Sequence, residues 1–367
     1  MRPLPHDPRQ IHHIWSIARR VLEAMGGHPP LPPLGARAEE AAAFHRAFLE
    51  QASRMGIALE AAQQAARMAA GLGLVESFLD PAVEEIILRE GTVRVLFRKP
   101  QEASAGLLLP NFLPPDAVAS LAARVADATG RSLTGARRFV TTDLDRPGLG
   151  RVRLAAALPP LSAGAAVNLR LFPETPIPFE TIARDLGIPP ADQERLRAAL
   201  DQPRALLIAG PFAAGKTTLL NALLLAAVAE GRMPAVVEGF REIALPAHQA
   251  LMIEEPDPAL LDRAIADAVL RMRADLLAVG EITTPEEARR FMWAALVGRP
   301  ALATLHGATP GQAMALLRGL LRRAGEPPEG IEEMIREGLG GIAVLAYDPG
   351  AHRRSWAGLY DPDGRPL

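Results

Sequence analysis

Cysteine is absent from all 367 residues. That removes disulfides, cysteine-ligated zinc and thiol nucleophiles from the chemistry open to the chain. Long apolar runs are missing too: no stretch of about 18 uncharged apolar residues occurs, the least a bilayer-spanning helix needs. The longest candidate, LLNALLLAAVA at 219–229, is too short and reads as a buried helix. The opening MRPLPHDPRQ lacks the apolar centre of a signal peptide, so a soluble cytoplasmic protein is expected. An excess of one charge is also lacking. The 40 basic residues face 42 acidic ones, for a formal net charge of −2, which gives no support to nucleic-acid binding driven by overall charge. Lysine is the last scarcity: only Lys99 and Lys216 occur among the 40 basic residues. Arginine, alanine and proline are heavy throughout, as coding bias would make them.

What is present suits two or three domains with a large core. Residues 1–70 read as a helical N-terminal extension, broken by the proline-rich HPPLPPLGAR (28–37) and stopped near the glycines at 71 and 73. Residues 71–172 read as a small α+β domain. Within it, VEEIILRE-GT-VRVLFRK (83–99) suggests two strands joined by a tight turn at Gly91–Thr92, and PPDAVASLAARVADATG (114–130) a helix. GRVRLAAALPPL and AAVNLRLF (150–172) suggest two more strands. LFPETPIPF carries three prolines in nine residues, which marks 173–180 as a linker. From 181 to 367, the short apolar strands ALLIAG (205–210), AVVEG (235–239), LLAVGE (276–281) and ALATLH (301–306) alternate with amphipathic helices. Such alternation predicts an α/β domain with a parallel sheet covered on both faces. No internal repeat is visible.

One of the two lysines lies in GPFAAGKTT, Gly210 to Thr218. GPFAAGKT fits G-x-x-x-x-G-K-[ST], with a strand entering and a helix (216–230) leaving. Glycines let backbone N–H groups turn inward around a phosphate, and the helix N-terminus adds a favourable dipole. In this pattern Gly210, Ala213, Ala214 and Gly215 form the cradle, Lys216 reaches the β- and γ-phosphates, and Thr217, beside Thr218, holds Mg²⁺. A planar guanidinium would not fit the nest in the same way as a compact ammonium. The lysine survives the chain's arginine bias for that reason, and ATP with Mg²⁺ is the expected ligand.

Three later segments narrow the reading. PAVVEGFREI (234–243) ends a strand with Glu238, RMRADLLAVGE (271–281) ends one with Gly280–Glu281, and ALATLHG (301–307) ends one with Thr304 and His306. Taken singly, Gly-Glu is ordinary turn chemistry and a strand-end histidine usually packs or caps. In a parallel α/β sheet, however, ligands sit at the carboxyl ends of strands, so all three would converge on the phosphates.

In this order and spacing the run from 151 to about 320 resembles the secretion (traffic) ATPases, the motors of type IV secretion, conjugal transfer, type II secretion and type IV pili. The conjugal-transfer and type IV secretion branch is the nearest. RVRLAAALPPL, NLR (168–170), GKTTLLNALL, VVEGFREIALP, LRMRADLLAVGEITTPEEA and ALATLHGATPGQAMALLRGL carry the likeness. They correspond to arginine-bearing N-domain strands, Walker A, an Asp box, an atypical Walker B and a His box. The resemblance implies a RecA-like P-loop ATPase domain and a homohexamer. It implies ATP hydrolysis beside an inner-membrane secretion, conjugation or pilus apparatus. By the same resemblance Glu238 orients or deprotonates the attacking water. Glu281 acts on the Mg²⁺ shell through water, and His306 with Thr304 senses the γ-phosphate. Arg153 and Arg170 clamp phosphates, in cis or across a subunit boundary. Arg153 is chosen over Arg151 for its distance from Pro159–Pro160.

The chain departs from the family pattern at four places. Gly239 replaces an aspartate, Thr283 an arginine, Phe212-Ala213-Ala214 a Thr-Gly-Ser, and Gly298–Arg299 a Gly-His. These departures keep a second reading open, a nucleotide-binding structural ring subunit with little turnover. A related nucleic-acid translocase is a third, and near-neutral charge speaks against direct nucleic-acid binding. No LSGGQ-like signature suggests an ABC transporter, and the absence of cysteine disfavours motors with a tetracysteine zinc insert. The basic-aromatic IHHIWSIARR (11–20) has two readings: a helix on a membrane surface, giving peripheral association with the inner membrane, or a capping or subunit-packing helix. Whether DNA, protein or pilin is transported is not written in these motifs.

Overall fold

Asp7 starts the first helix: its side chain accepts a hydrogen bond from the Arg9 amide, and Pro8 takes a first-turn position that needs no N–H. The computed structural model describes residues 7–26, 38–101, 104–114, 116–128, 139–146, 149–172, 176–239, 241–246, 248–255 and 257–367. The proline-rich 28–37 and the first residues of the expected linker lie outside these. The chain forms two compact units, Met1–Glu174 and Thr175–Leu367.

In the first unit, helix α1 (Pro8–Ala24) buries Ile11, Ile14, Ile17, Ala18 and Val21 at helical spacing. It packs with α2 (Ala38–Arg54) and α3 (Leu59–Ala70). The strands are β1 (Val83–Arg89), β2 (Thr92–Gln101) and β3 (Ser104–Leu109), then, after α4 (Ala117–Ala128), β4 (Phe139–Arg146), β5 (Gly150–Ala157) and β6 (Ala166–Phe172). They pair antiparallel in the order β3-β2-β1-β6-β5-β4. Strands β3 and β4 are additions to the expected set.

The β1–β2 turn is Glu90–Gly91, with φ of 37° and 90°, one residue before the expected Gly91–Thr92. A two-residue hairpin of this kind needs positive φ at both positions. β-Branched Thr92 instead joins the ladder opposite Arg89. Alternation sends Val152, Leu154 and Ala156 of β5 and Val167, Leu169 and Leu171 of β6 into one core shared with the helices. It leaves Arg151, Arg153 and Arg170 on the other face. Arg124 of α4 ends α3 by donating to the carbonyls of Ala70 (2.8 Å) and Gly71 (2.5 Å). Beside it buried Glu76 accepts from the Leu72 amide and pairs with Arg146.

The second unit opens with α5 (Phe179–Leu186) and α6 (Pro190–Ala198). It continues through β7 (Ala205–Gly210), α7 (Lys216–Ala229), β8 (Ala235–Glu238), β9 (Leu251–Glu254), α8 (Pro258–Leu270), β10 (Leu277–Val279), α9 (Pro285–Leu296) and β11 (Ala301–His306). Helices α10 (Pro310–Arg323) and α11 (Pro328–Gly338) lead to β12 (Leu339–Asp348) and β13 (Arg353–Tyr360). The sheet order is β13-β12-β7-β11-β10-β8-β9. Every pair is parallel except β12–β13, so an antiparallel edge strand completes a sheet expected to be parallel throughout. Strands β9, β12 and β13 are additions to the expected set.

Both faces of this sheet are covered, which is why its strands read as unbroken apolar runs. Along β7, Ala205, Leu207 and Ala209 join a core with α8–α11, while Leu206 and Ile208 join one with α5–α7. The chain is a mixed α/β protein, as expected.

Candidate functional site

The parallel register of the second unit brings the strand ends together. Gly210 closes β7 directly opposite His306, which closes β11. Next in the sheet is β10, followed by Gly280–Glu281, and then β8, which ends on Glu238. Helix α7 begins at Lys216, with Ala213 (φ 62°) and Gly215 (φ 90°) in left-handed backbone before it. Glycine reaches that conformation freely, whereas Ala213 is held in it at some cost. A Cβ on Gly210 would come within 2.9 Å of the Leu345 carbonyl, so the loop leaves β7 pressed against β12. Gly215 supplies no side-chain cap to α7, so no side-chain oxygen takes the helix-start donors at that position.

Lys216 is buried. Its ammonium donates to the carbonyls of Gly210 (3.1 Å) and Pro211 (3.0 Å). It lies 3.2 Å from Nδ1 of His306, whose Nε2 is 2.6 Å from Oε1 of Glu281. An ammonium only donates, so Nδ1 accepts and Nε2 carries the hydrogen toward Glu281. Burial, then the neighbouring ammonium, hold His306 below its ordinary pKa against the opposing pull of Glu281. A lysine, a neutral histidine and a glutamate thus form one chain across the ends of β7, β11 and β10.

Two further contacts hold this chain in place. Buried Thr304 donates from Oγ1 to the Gly280 carbonyl at 2.6 Å, and the Ile282 amide donates to the Thr304 carbonyl at 2.9 Å. The peptide that carries Glu281 is therefore pinned to β11. Glu238 is buried, and its two carboxylate oxygens accept from the amides of Glu242 and Ile243, each at 3.2 Å. A Cβ on Gly280 would approach Glu238 to 2.7 Å, so glycine there makes room for the glutamate. Thr217 is half-buried and Thr218 exposed, both in the first turn of α7.

The departures from the family pattern have local explanations in two cases. Thr283 donates its amide (2.7 Å) and hydroxyl (3.1 Å) to Glu287 Oε2, within the capping box that starts α9. Phe212 stacks on His306, ring centroids 4.0 Å apart. A Cβ on Gly239 would meet nothing closer than the Glu255 carbonyl at 3.9 Å, so the glycine answers no steric demand.

Arg153 and Arg170 belong to the first unit, where they face each other across β5 and β6. Both guanidinium groups lie near the Phe172 ring, at 5.0 and 5.5 Å from its centroid. Arg153 Nε also pairs with Asp143 at 3.2 Å, and Arg151 reaches the other oxygen of the same carboxylate at 3.5 Å. Like charges directly opposite on a strand pair are unfavourable, and here an aromatic face and a carboxylate offset them.

The sequence offered no signal for Arg354. It lies on the unexpected β13, donates from Nε to the Ala213 carbonyl at 2.6 Å, and stands 5.9 Å from the Tyr347 ring centroid. Among the described residues no cluster of three or more His, Asp or Glu could hold a metal ion. The donors that remain, the Thr217 hydroxyl and Glu281, suit a small cation that takes most of its ligands from phosphate and water.

The family described as Type II/IV secretion system protein matches residues 148–340. A putative conjugal transfer protein of Mycobacterium tuberculosis is 28% identical over 288 residues, covering 74% of this chain and 81% of that protein. A probable conjugal transfer protein TrbB of Sinorhizobium fredii is 28% identical over 209 residues, 56% of this chain and 63% of its own length. Among solved structures, the Legionella pneumophila ATPase DotB has a TM-score of 0.56 at 20% identity over 79% of each chain. The pilus retraction motor PilT with bound ADP has a TM-score of 0.57 at 19% identity, over 79% of this chain and 82% of its own. Those two share the fold. With the match covering more than half of its residues, the chain belongs to the Type II/IV secretion system protein family.

Proposed function

We propose that the chain is an ATP-hydrolysing motor of a type IV secretion, conjugal-transfer or pilus apparatus. The observation that carries this is the Lys216–His306–Glu281 chain at the mouth of the phosphate loop. In this reading residues 181–367 are a RecA-like P-loop ATPase domain. Residues 71–172 are a small α+β domain and 1–70 a helical extension, with a proline-rich linker at 173–180. Six copies form a cytoplasmic ring peripheral to the inner membrane, without direct nucleic-acid contact. The conjugal transfer proteins of M. tuberculosis and S. fredii favour that branch.

The residues divide the work. Gly210, Ala213, Ala214, Gly215 and the start of α7 cradle the phosphates, and Lys216 neutralises them where charge develops. Mg²⁺ at Thr217 and Glu281 would supply further charge neutralisation on the phosphate oxygens. Glu238, held by its two amide contacts at the end of β8, orients the attacking water or takes its proton. His306, linked to both Lys216 and Glu281, reports the γ-phosphate to β11 and α10. Arg153 and Arg170 clamp phosphates from the N-terminal domain, in cis or from a neighbouring subunit.

The second reading is a ring subunit that binds nucleotide with little turnover. It is favoured by Gly239, and by Thr283 being tied to Glu287 instead of extending a cation. Steady-state phosphate release with Mg-ATP separates the two. A motor shows turnover that Lys216→Ala and Glu238→Gln both abolish. A wild type that binds ATP yet releases no more phosphate than Lys216→Ala is the ring subunit.

A further inference from the structure

Phe212 stands in the phosphate loop with 78% of its surface exposed. Its ring lies over His306 at 4.0 Å between centroids, with the planes 38° apart. Lys216 Nζ is 6.0 Å from the same ring centroid, so one ring covers both the imidazole and the ammonium. Beneath it His306 touches Lys216 through one nitrogen and Glu281 through the other. Lys216 is further held by the carbonyls of Gly210 and Pro211. The groups suited to meet a triphosphate hold one another, and Phe212 lies across them.

The backbone here is fixed independently of the ring. Arg354 holds the Ala213 carbonyl, and Ala214 is fully buried in the core that includes α7. The loop therefore keeps its path when the Phe212 side chain rotates away. A side chain this exposed also leaves no core cavity when truncated.

We propose that Phe212 is a positioning residue that sets the closed state of the phosphate site. Stacked on His306, it holds the imidazole against Lys216 and Glu281. A nucleoside triphosphate gains the ammonium only when the ring swings off and the histidine is released. This rests on the reading of the Lys216 loop as a phosphate site. Lys216 gives its hydrogen bonds either to His306 and the loop carbonyls or to phosphate oxygens, so nucleotide binds the open arrangement alone. An aromatic pair shifts such an equilibrium by a factor of about 2 to 12. Apparent affinity falls by the same factor while the closed arrangement dominates. Phenylalanine here thus sets a threshold for nucleotide occupancy that a small residue would lower.

The test is equilibrium binding of a fluorescent, non-hydrolysable ATP analogue with Mg²⁺ to the full chain, as wild type, Phe212→Ala, Phe212→Tyr and Lys216→Ala. Phe212→Ala is expected to bind about 2- to 12-fold tighter with a melting temperature lowered by a few degrees at most, and Phe212→Tyr to match wild type. The His306 imidazole proton resonances, under the Phe212 ring current, move in Phe212→Ala. They move in the same direction when the analogue is added to wild type. Equal or weaker binding by Phe212→Ala, or His306 resonances that do not respond, overturns the proposal. If wild type and Phe212→Ala bind alike while Lys216→Ala fails to bind, this inference falls and the phosphate site stands. If none of the four binds, the phosphate-site reading falls and this inference with it.

Discussion

Arg354 donates a 2.6 Å hydrogen bond from Nε to the carbonyl of Ala213, joining residues 141 positions apart in the chain. The edge strand β13 thereby fixes the one non-glycine residue of the β7–α7 loop that has left-handed backbone. A hydrogen bond from a charged donor contributes about 1.5–3 kcal/mol, and the half-buried setting argues for the lower end. Arg354→Ala is expected to weaken ATP binding by about an order of magnitude while leaving the core folded. Calorimetric titration beside a far-UV melting curve measures both.

Thr304 tests the support under Glu281. In Thr304→Val the Gly280 carbonyl loses its 2.6 Å donor, and stability falls by about 1–3 kcal/mol. Turnover is expected to drop further than nucleotide affinity, because Glu281 loses its anchor while the β7–α7 loop does not. Urea melts and steady-state kinetics together separate the two effects.

Two glycines at neighbouring strand ends predict opposite outcomes. Gly280→Ala forces a Cβ to within 2.7 Å of Glu238 and is expected to cut turnover at least tenfold by displacing that carboxylate. Gly239→Ala meets only ordinary contact at 3.9 Å and should change stability by less than about 0.5 kcal/mol. Phosphate-release rates and melting temperatures of the pair decide it.

His306 carries a pH signature of its surroundings. Its pKa lies below the ordinary imidazole value of about 6.5, first through burial and then through Lys216. Between the folded value and 6.5 the unfolded chain binds the proton more readily. Stability therefore rises with pH across that window and falls as the solution is acidified through it. With neither nucleotide nor magnesium present, an NMR titration should move the His306 midpoint upward in Lys216→Ala and downward in Glu281→Gln. The same midpoint in all three proteins would refute the linkage.

Features that are local in the chain were legible before any fold was known. The spacing of GPFAAGKT between an apolar run and a helix-forming run places a loop between a strand and a helix without tertiary information, and β7 and α7 flank it. The unbroken apolar runs 205–210 and 301–306 read as buried parallel strands because both their faces are covered. Other strands were hidden. FVTTDLDR of β4 alternates, but with threonines and aspartates on a half-solvated sheet. The β12 strand follows α11 with no turn residues between them, and arginine-rich RRSWAGLY of β13 is an edge strand. Which strand ends became neighbours could not be read along the chain, since sheet order depends on the crossovers and not on spacing. Lys216 meets His306 across 90 residues because β11 inserts between β7 and β10. The Phe212 stack and the Arg354 tie follow from the same ordering, for contacts across a sheet have no local sequence signature.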